Sequence, residues 1–164
     1  MRLFILFTSS ILMLSCSQKL TLQVYYNEPY CGGAPPTEQQ FYGENFPFEN
    51  QTLEMKIFNS KGKIKEKSII LDDQGRWTGK TPAFAKIEFY RPEQFASLEE
   101  IKRTFDLGEN RFYDLLPDKM IEDWKARPIA VLKENTNKSW SFTIPKKCQV
   151  GLNPCYKYVG PKFN

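Results

Sequence analysis

Histidine is missing from all 164 residues. Its absence removes the commonest general base and the commonest metal ligand together. Ser-His-Asp and Cys-His catalysis, His-ligated zinc or copper, and His-based pH switching are thereby excluded within this polypeptide. Cysteine is scarce at four, and no two form a Cys-x-x-Cys pair, so a thiol-redox motif is missing as well. No long apolar run follows the first fourteen residues, and neither an internal repeat nor a low-complexity tract occurs. The basic excess is small, 23 Lys and Arg against 19 Asp and Glu, whereas nucleic-acid binders carry a much stronger one. The expectation is therefore no nucleic-acid partner and no cofactor.

The first sixteen residues are the most informative part of the chain. Arg2 and the terminal amine precede Leu3 to Leu14, an apolar stretch broken by Thr8, Ser9 and Ser10. As a helix it would reach about 18 Å, short of the roughly 30 Å of a bilayer core. It reads as the h-region of an export signal, residues 1–15. Its end, Met13-Leu14-Ser15-Cys16, resembles the lipobox of bacterial lipoproteins, in which the cysteine takes a diacylglyceryl group. Taking 15 residues from 164 leaves 149, a size suited to one domain. Taking Arg2 from the 23 basic residues leaves 22 against 19, a net of +3. Residues 16–19 read as a short lipid-anchored tether, which would hold a domain at 20–164 close to the membrane.

Period-two alternation then dominates. Leu20, Leu22, Val24 and Tyr26 alternate with Thr21, Gln23 and Tyr25, the pattern of a half-buried strand. Leu53 to Ile57, Ile64 to Asp72, Ile87 to Phe89, and Trp140 to Ile144 repeat it, and Ile129 to Leu132 reads as a more deeply buried strand. Asp72-Asp-Gln-Gly75 and Asn59-Ser-Lys-Gly62 supply hairpin turn chemistry. Lys61, Lys63, Lys65 and Lys67 read as the solvent face of a strand, where lysine also guards against mispairing. Ser97-Leu-Glu-Glu100 is a capping box with Leu98, Ile101 and Phe105 at helical spacing behind it. A second helix is expected from Asp118, with Met120, Ile121 and Trp124 on one face and Pro128 as its stop. Residues 92–127 thus form a helical insertion, and 31–50 a loop. The fold class is mainly β, an antiparallel β-sandwich.

Tyr30-Cys-Gly-Gly-Ala-Pro-Pro36, Pro47 to Thr52, Leu71 to Trp77 and Asn153 to Pro161 resemble a group of bacterial lipoproteins with a carboxypeptidase regulatory-like, transthyretin-like domain. The resemblance spans most of residues 20–161 and implies a transthyretin-like sandwich, in which an Asp-x-x-Gly-aromatic turn leads from one strand to the next. The usual Pro-Pro-Gly-x-Tyr segment is here Pro82-Ala-Phe-Ala-Lys86, a departure from the pattern. Such domains are mostly accessory modules. The related hydrolases on this fold use histidines, which this chain lacks.

Cys31, Cys148 and Cys155 remain once Cys16 is lipidated, and an exported chain oxidises its thiols where it can. Closeness in sequence favours Cys148–Cys155, although the loop entropy of so short a bridge is about 2 kcal/mol, against more than about 4 from Cys31. Cys31 is the alternative partner, through Cys31–Cys155. Asp72/Asp73, Glu99/Glu100 and Glu122/Asp123 are acidic neighbours; turns, caps and solvated helix faces account for them better than catalysis. Tyr25, Tyr90 and Trp77 fall on outward or edge positions, where exposed aromatics anchor partners or stack on sugars unless the helical insertion covers them. Asn50-Gln-Thr52 and Asn137-Lys-Ser139 match the glycosylation triplet, a chance match in a bacterial lipoprotein. The expected function is that of a non-enzymatic envelope module, anchored through Cys16 to the outer membrane, with an envelope protein or a glycan as partner. A carboxylate-based glycan-acting enzyme and a carrier of small apolar ligands are the alternatives. Mass spectrometry of the mature protein is expected to find a diacylglyceryl-modified N-terminus at Cys16; an unmodified chain starting elsewhere would refute the anchor.

Overall fold

The computed structural model describes residues 17–31, 37, 42–133 and 138–161. Residues 1–15, expected to be an export signal, Cys16 and residues 32–36 lie outside them. Among the described residues the chain is mainly β, with two helices.

The first sheet is built around β1 (Ser17–Glu28). On one edge β1 pairs antiparallel with β5 (Arg76–Pro82) along Ser17–Gln23, then with β2 (Glu44–Pro47) along Tyr25–Glu28. On its other edge it pairs with β9 (Ser139–Pro145), and this pairing is parallel. That departs from an all-antiparallel scheme; parallel neighbours need a long crossover, here supplied by everything between the two strands. The expected tether is also shorter than 16–19, because Ser17, Gln18 and Lys19 already pair with Pro82, Thr81 and Lys80.

The second sheet runs β4-β3-β6-β8 and is antiparallel throughout: β4 (Ile64–Ile70), β3 (Thr52–Phe58), β6 (Lys86–Tyr90) and β8 (Ala130–Lys133). Alternation read correctly in β1, β3 and β6 places Leu20, Leu22, Val24, Leu53, Met55, Ile57, Ile87 and Phe89 in one core shared by both sheets. Each such side chain contributes roughly 1.5–3 kcal/mol by leaving water. Phe89 stacks on Trp140 of β9 at 5.5 Å, joining the layers. The β8 segment is not the deeply buried strand expected, because it forms the edge of its sheet and exposes Val131.

The Asp72–Gly75 turn has the expected chemistry but a different role. Asp72 Oδ1 accepts from the Gln74 and Arg76 amides at 2.9 and 2.7 Å. Its flanking strands, β4 and β5, belong to different sheets, so it is a corner between layers, not a hairpin. Gly75 has φ +68° and sits against β1, where a Cβ would lie 2.5 Å from the Val24 carbonyl oxygen; only glycine fits. β5 itself escaped the alternation pattern. Its inward positions are Trp77, Gly79 and Thr81, and the Trp77 indole folds over Gly79, covering two positions with one ring.

The insertion holds a 3₁₀ turn (Pro92–Phe95), α1 (Leu98–Thr104), β7 (Tyr113–Leu115) and α2 (Asp118–Ala126). α1 begins with the expected capping box. α2 buries Ile121 and half-buries Trp124, but Met120 turns to solvent. β7 pairs with the C-terminal strand β10 (Tyr156–Tyr158), and Ile101, Ile121 and Cys155 make a second, small core.

Two buried polar residues join this unit to the sheets. Arg91, 8% exposed, donates to the Leu152 carbonyl at 2.8 Å, pairs with Glu93 at 3.1 Å, and lies over the Phe105 and Trp124 rings. Gln94, 4% exposed, accepts from the Arg91 amide. Its amide nitrogen donates to the Trp124 and Arg127 carbonyls at 2.9 and 2.7 Å, closing the end of α2.

The disulfide joins Cys31 to Cys148, with a Cα–Cα distance of 5.6 Å. The expected Cys148–Cys155 bridge does not form, nor does Cys31–Cys155. Parallel β1 and β9 end side by side, with Asn27 opposite Pro145, so the residues that follow each strand meet. Cys155 instead enters the small core as a free, buried thiol. Burial pushes its pKa up despite the charge of Lys102.

Gly79→Val is expected to destabilise the protein by about 1–3 kcal/mol, the usual cost of overpacking, because the indole must leave its place. The denaturation midpoint would fall and the near-ultraviolet circular dichroism of tryptophan would change.

Candidate functional site

The inward faces of the two sheets meet, which leaves each sheet an outer face; that of β4-β3-β6-β8 is patterned. Strand register orders its side chains into rows: Ser68, Glu54, Tyr90; then Glu66, Lys56, Glu88, Val131; then Ile64, Phe58, Lys86, Lys133. Thr52 and Ile70 form a further row.

The polar groups in the middle satisfy one another. Lys56 Nζ lies 3.7 Å from Glu66 and about 5 Å above the rings of both Tyr90 and Phe95. Lys86 Nζ is 2.7 Å from Glu88 Oε1 and lies over Phe58. The Tyr90 hydroxyl donates to Glu88 Oε2 at 2.8 Å, and the Ser68 hydroxyl donates to Glu54. Burial alone would raise the Glu88 pKa. The hydrogen bonds from Lys86 and Tyr90, with the charges of Lys86 and Lys56, outweigh it and hold the carboxyl below its ordinary value. The Tyr90 phenol is pushed up to about 12 by burial, by its bond to Glu88 and by that negative charge. Glu88 is therefore a fixed anion and Tyr90 a fixed donor.

The margin of the face is apolar and open. Ile70 is 70% exposed, Ile64 56%, Phe95 50% and Val131 41%. A groove of about 260 Å³ runs between Pro92 and Phe95 on one side and Glu54, Lys56 and Glu66 on the other, with Met55 also lining it. The helical insertion does not cover the face; Pro92 and Phe95 reach over one corner.

The residues singled out from sequence fare differently. Tyr90 belongs to this face, but Phe95 packs edge-on against it and it is nearly buried. Trp77 packs on the core beneath Lys67, and Tyr25 is a half-buried strand residue of the first sheet. Lys65 and Lys67 share the parity of β4 that stands opposite Ile57 and Met55, not the parity of the outer face; Lys65 is nonetheless exposed, as expected, and Lys67 half-buried at the rim. Asp72 serves the corner turn, Glu100 the cap of α1, and Glu122 pairs with Lys125. Among the described residues no three acidic or cysteine side chains gather as a metal-binding cluster. No described helix is long and apolar enough to cross a membrane. The missed residues are Ile64, Ile70 and Phe95. In β4 both parities mix apolar and charged residues, so alternation alone does not say which side faces out.

Comparison with protein-family models, with curated proteins and with solved structures returned no match for this chain.

A carboxyl whose folded-state pKa is depressed stabilises the fold above its unfolded pKa and loses that contribution as pH falls through the folded value. Glu88→Gln is therefore expected to lower stability at neutral pH. The gap to the parent should close as pH drops from about 4.5 downward. Urea midpoints of both proteins across that range check this.

Proposed function

We propose that this chain is an exported, lipid-anchored module of the bacterial cell envelope, held to the outer membrane through Cys16, that binds a partner protein on the outer face of β4-β3-β6-β8. Its architecture is read as a two-sheet sandwich, transthyretin-like and similar to carboxypeptidase regulatory-like domains, with a helical unit inserted between β6 and β8. The shared core and the Asp72-x-x-Gly75 corner, with Trp77 one residue further on, support that reading of the fold. The export leader and the lipobox-like Cys16 support the location.

The observation that carries the binding role is the pairing of an open apolar margin with a self-satisfied polar centre. A saccharide is recognised through unengaged polar groups converging on its hydroxyls, and here Lys56, Lys86, Glu88 and Tyr90 are committed to neighbours. Exposed Ile64, Ile70, Val131 and Phe95 gain instead by burial against protein side chains. The committed carboxylates likewise suit recognition, not proton transfer, and the role is non-enzymatic.

A photo-crosslinking residue placed at Ile70 or Val131 in intact cells is expected to capture one discrete protein. The same residue at Thr78, exposed on the first sheet, should not. Equal capture from Thr78, or none from either position on the second sheet, rejects this face as the binding surface.

A further inference from the structure

Among the described residues β9 forms a strand edge with no neighbour beyond it, on the side away from β1. Thr21 N donates to the Lys138 carbonyl and Lys146 N donates to that of Asn27. Backbone groups alternate sides along a strand, so the even-numbered residues 138–146 face β1. The N–H and C=O groups of Ser139, Ser141 and Thr143 therefore point to the free edge. Pro145, which has no N–H, terminates it.

Other edges are defended. β4 carries Lys65 and Lys67, with Lys63 just ahead of it, and β8 is only four residues long and ends in Lys133. The seven residues Ser-Trp-Ser-Phe-Thr-Ile-Pro of β9 carry no charge and are rich in strand-forming types, the features of an edge open to pairing. They also read nearly alike in both directions about Phe142. Hydroxyl residues stand at 141 and 143, exposed, and large apolar residues at 140 and 144 on the core side. Trp140 and Phe142 are only half-buried, so the core is incompletely closed beneath this edge.

We propose that the chain forms a twofold homodimer by antiparallel pairing of β9 with β9 of a second copy, centred on Phe142. In that register Ser141 lies opposite Thr143 of the second copy. Both have outward backbone groups, so they form a hydrogen-bonded pair. Phe142 meets its own counterpart and Trp140 meets Ile144, aromatic and aliphatic pairs of the kind that stabilise neighbouring strands. Within the seven residues of β9 no charge opposes another; Lys138 and Lys146 face each other only beyond the two ends of the paired strands. The two first sheets become one continuous sheet, and each copy's second-sheet face stays free.

Sedimentation equilibrium of the full chain, in density-matched detergent if it is lipidated, is expected to show a concentration-dependent monomer–dimer equilibrium. Ser141→Lys/Thr143→Lys sets lysine against lysine twice across the axis and should weaken the dimer at least about tenfold. Ser141→Lys/Thr143→Glu sets lysine against glutamate and should restore it. Amide exchange of the unaltered protein gives a reading independent of any substitution. The Ser141 and Thr143 N–H groups should be protected at high concentration and exchange freely on dilution. A monomer at every concentration, equal behaviour of the two variants, or exchange at these amides that ignores concentration would overturn the proposal.

Discussion

The Arg91 guanidinium, at the end of β6, is the point through which the helical unit, the C-terminal segment and the second sheet hold together. It reaches the C-terminal segment at Leu152, its own turn at Glu93, and the aromatic rings of both helical elements. Gln94 extends the same junction to the last carbonyls of α2. Burying a guanidinium is favourable only when its donors are engaged and its flat faces are covered. Here two of its nitrogens are engaged, by Leu152 and Glu93, and its faces lie against Phe105 and Trp124, so one side chain ties the helices and the tail to the sheet. Glu93 Oε2 is buried without a hydrogen bond among the described residues, which leaves its Oε1 as the oxygen that answers the arginine.

Where one strand face is uniformly apolar, the fold is legible in the chain. Leu20, Leu22 and Val24, then Leu53, Met55 and Ile57, announce β1 and β3, and Ser97 with Glu100 announces α1. Legibility fails where tertiary structure supplies what local pattern does not. β5 has one large inward side chain because the Trp77 indole also occupies the space above Gly79. β7 and β10 are three residues each and, among the described residues, pair only with one another. The disulfide, between cysteines 117 residues apart, follows from the parallel pairing of β1 with β9, a relation no spacing rule contains. The candidate face was legible only at Tyr90. Ile64 and Ile70 share a strand with Lys65 and Lys67, and it is the lysines that take the parity opposite Ile57 and Met55.

That inversion in β4 has a physical logic. A lysine stem is apolar and its head seeks water, so at the rim of a two-layer core it can serve both. Lys67 runs its chain over the gap between the sheets and rests its ammonium 4.7 Å above the Trp77 ring. With the inward parity of the edge strand given to lysine, Ile64 and Ile70 are left outside. The charged centre of the outer face, closed on itself through Lys56, Lys86 and Glu88, then offers an incoming surface little to break and an apolar margin to bury.

The side-by-side course of β1 and β9 also governs how the molecule answers a pull. Strands that run in the same direction present their opposite ends to a force acting between the two termini. With Cys31–Cys148 reduced the load would fall in shear on the whole Thr21–Asn27 register at once; with the bond closed it passes from the end of β1 straight to the segment after β9 and leaves that register unloaded. Just past that register, the Cys31–Cys148 link would stop extension of everything enclosed between those two residues. A domain wired in this way can bear tension through that link and yield, if at all, from its helical flank.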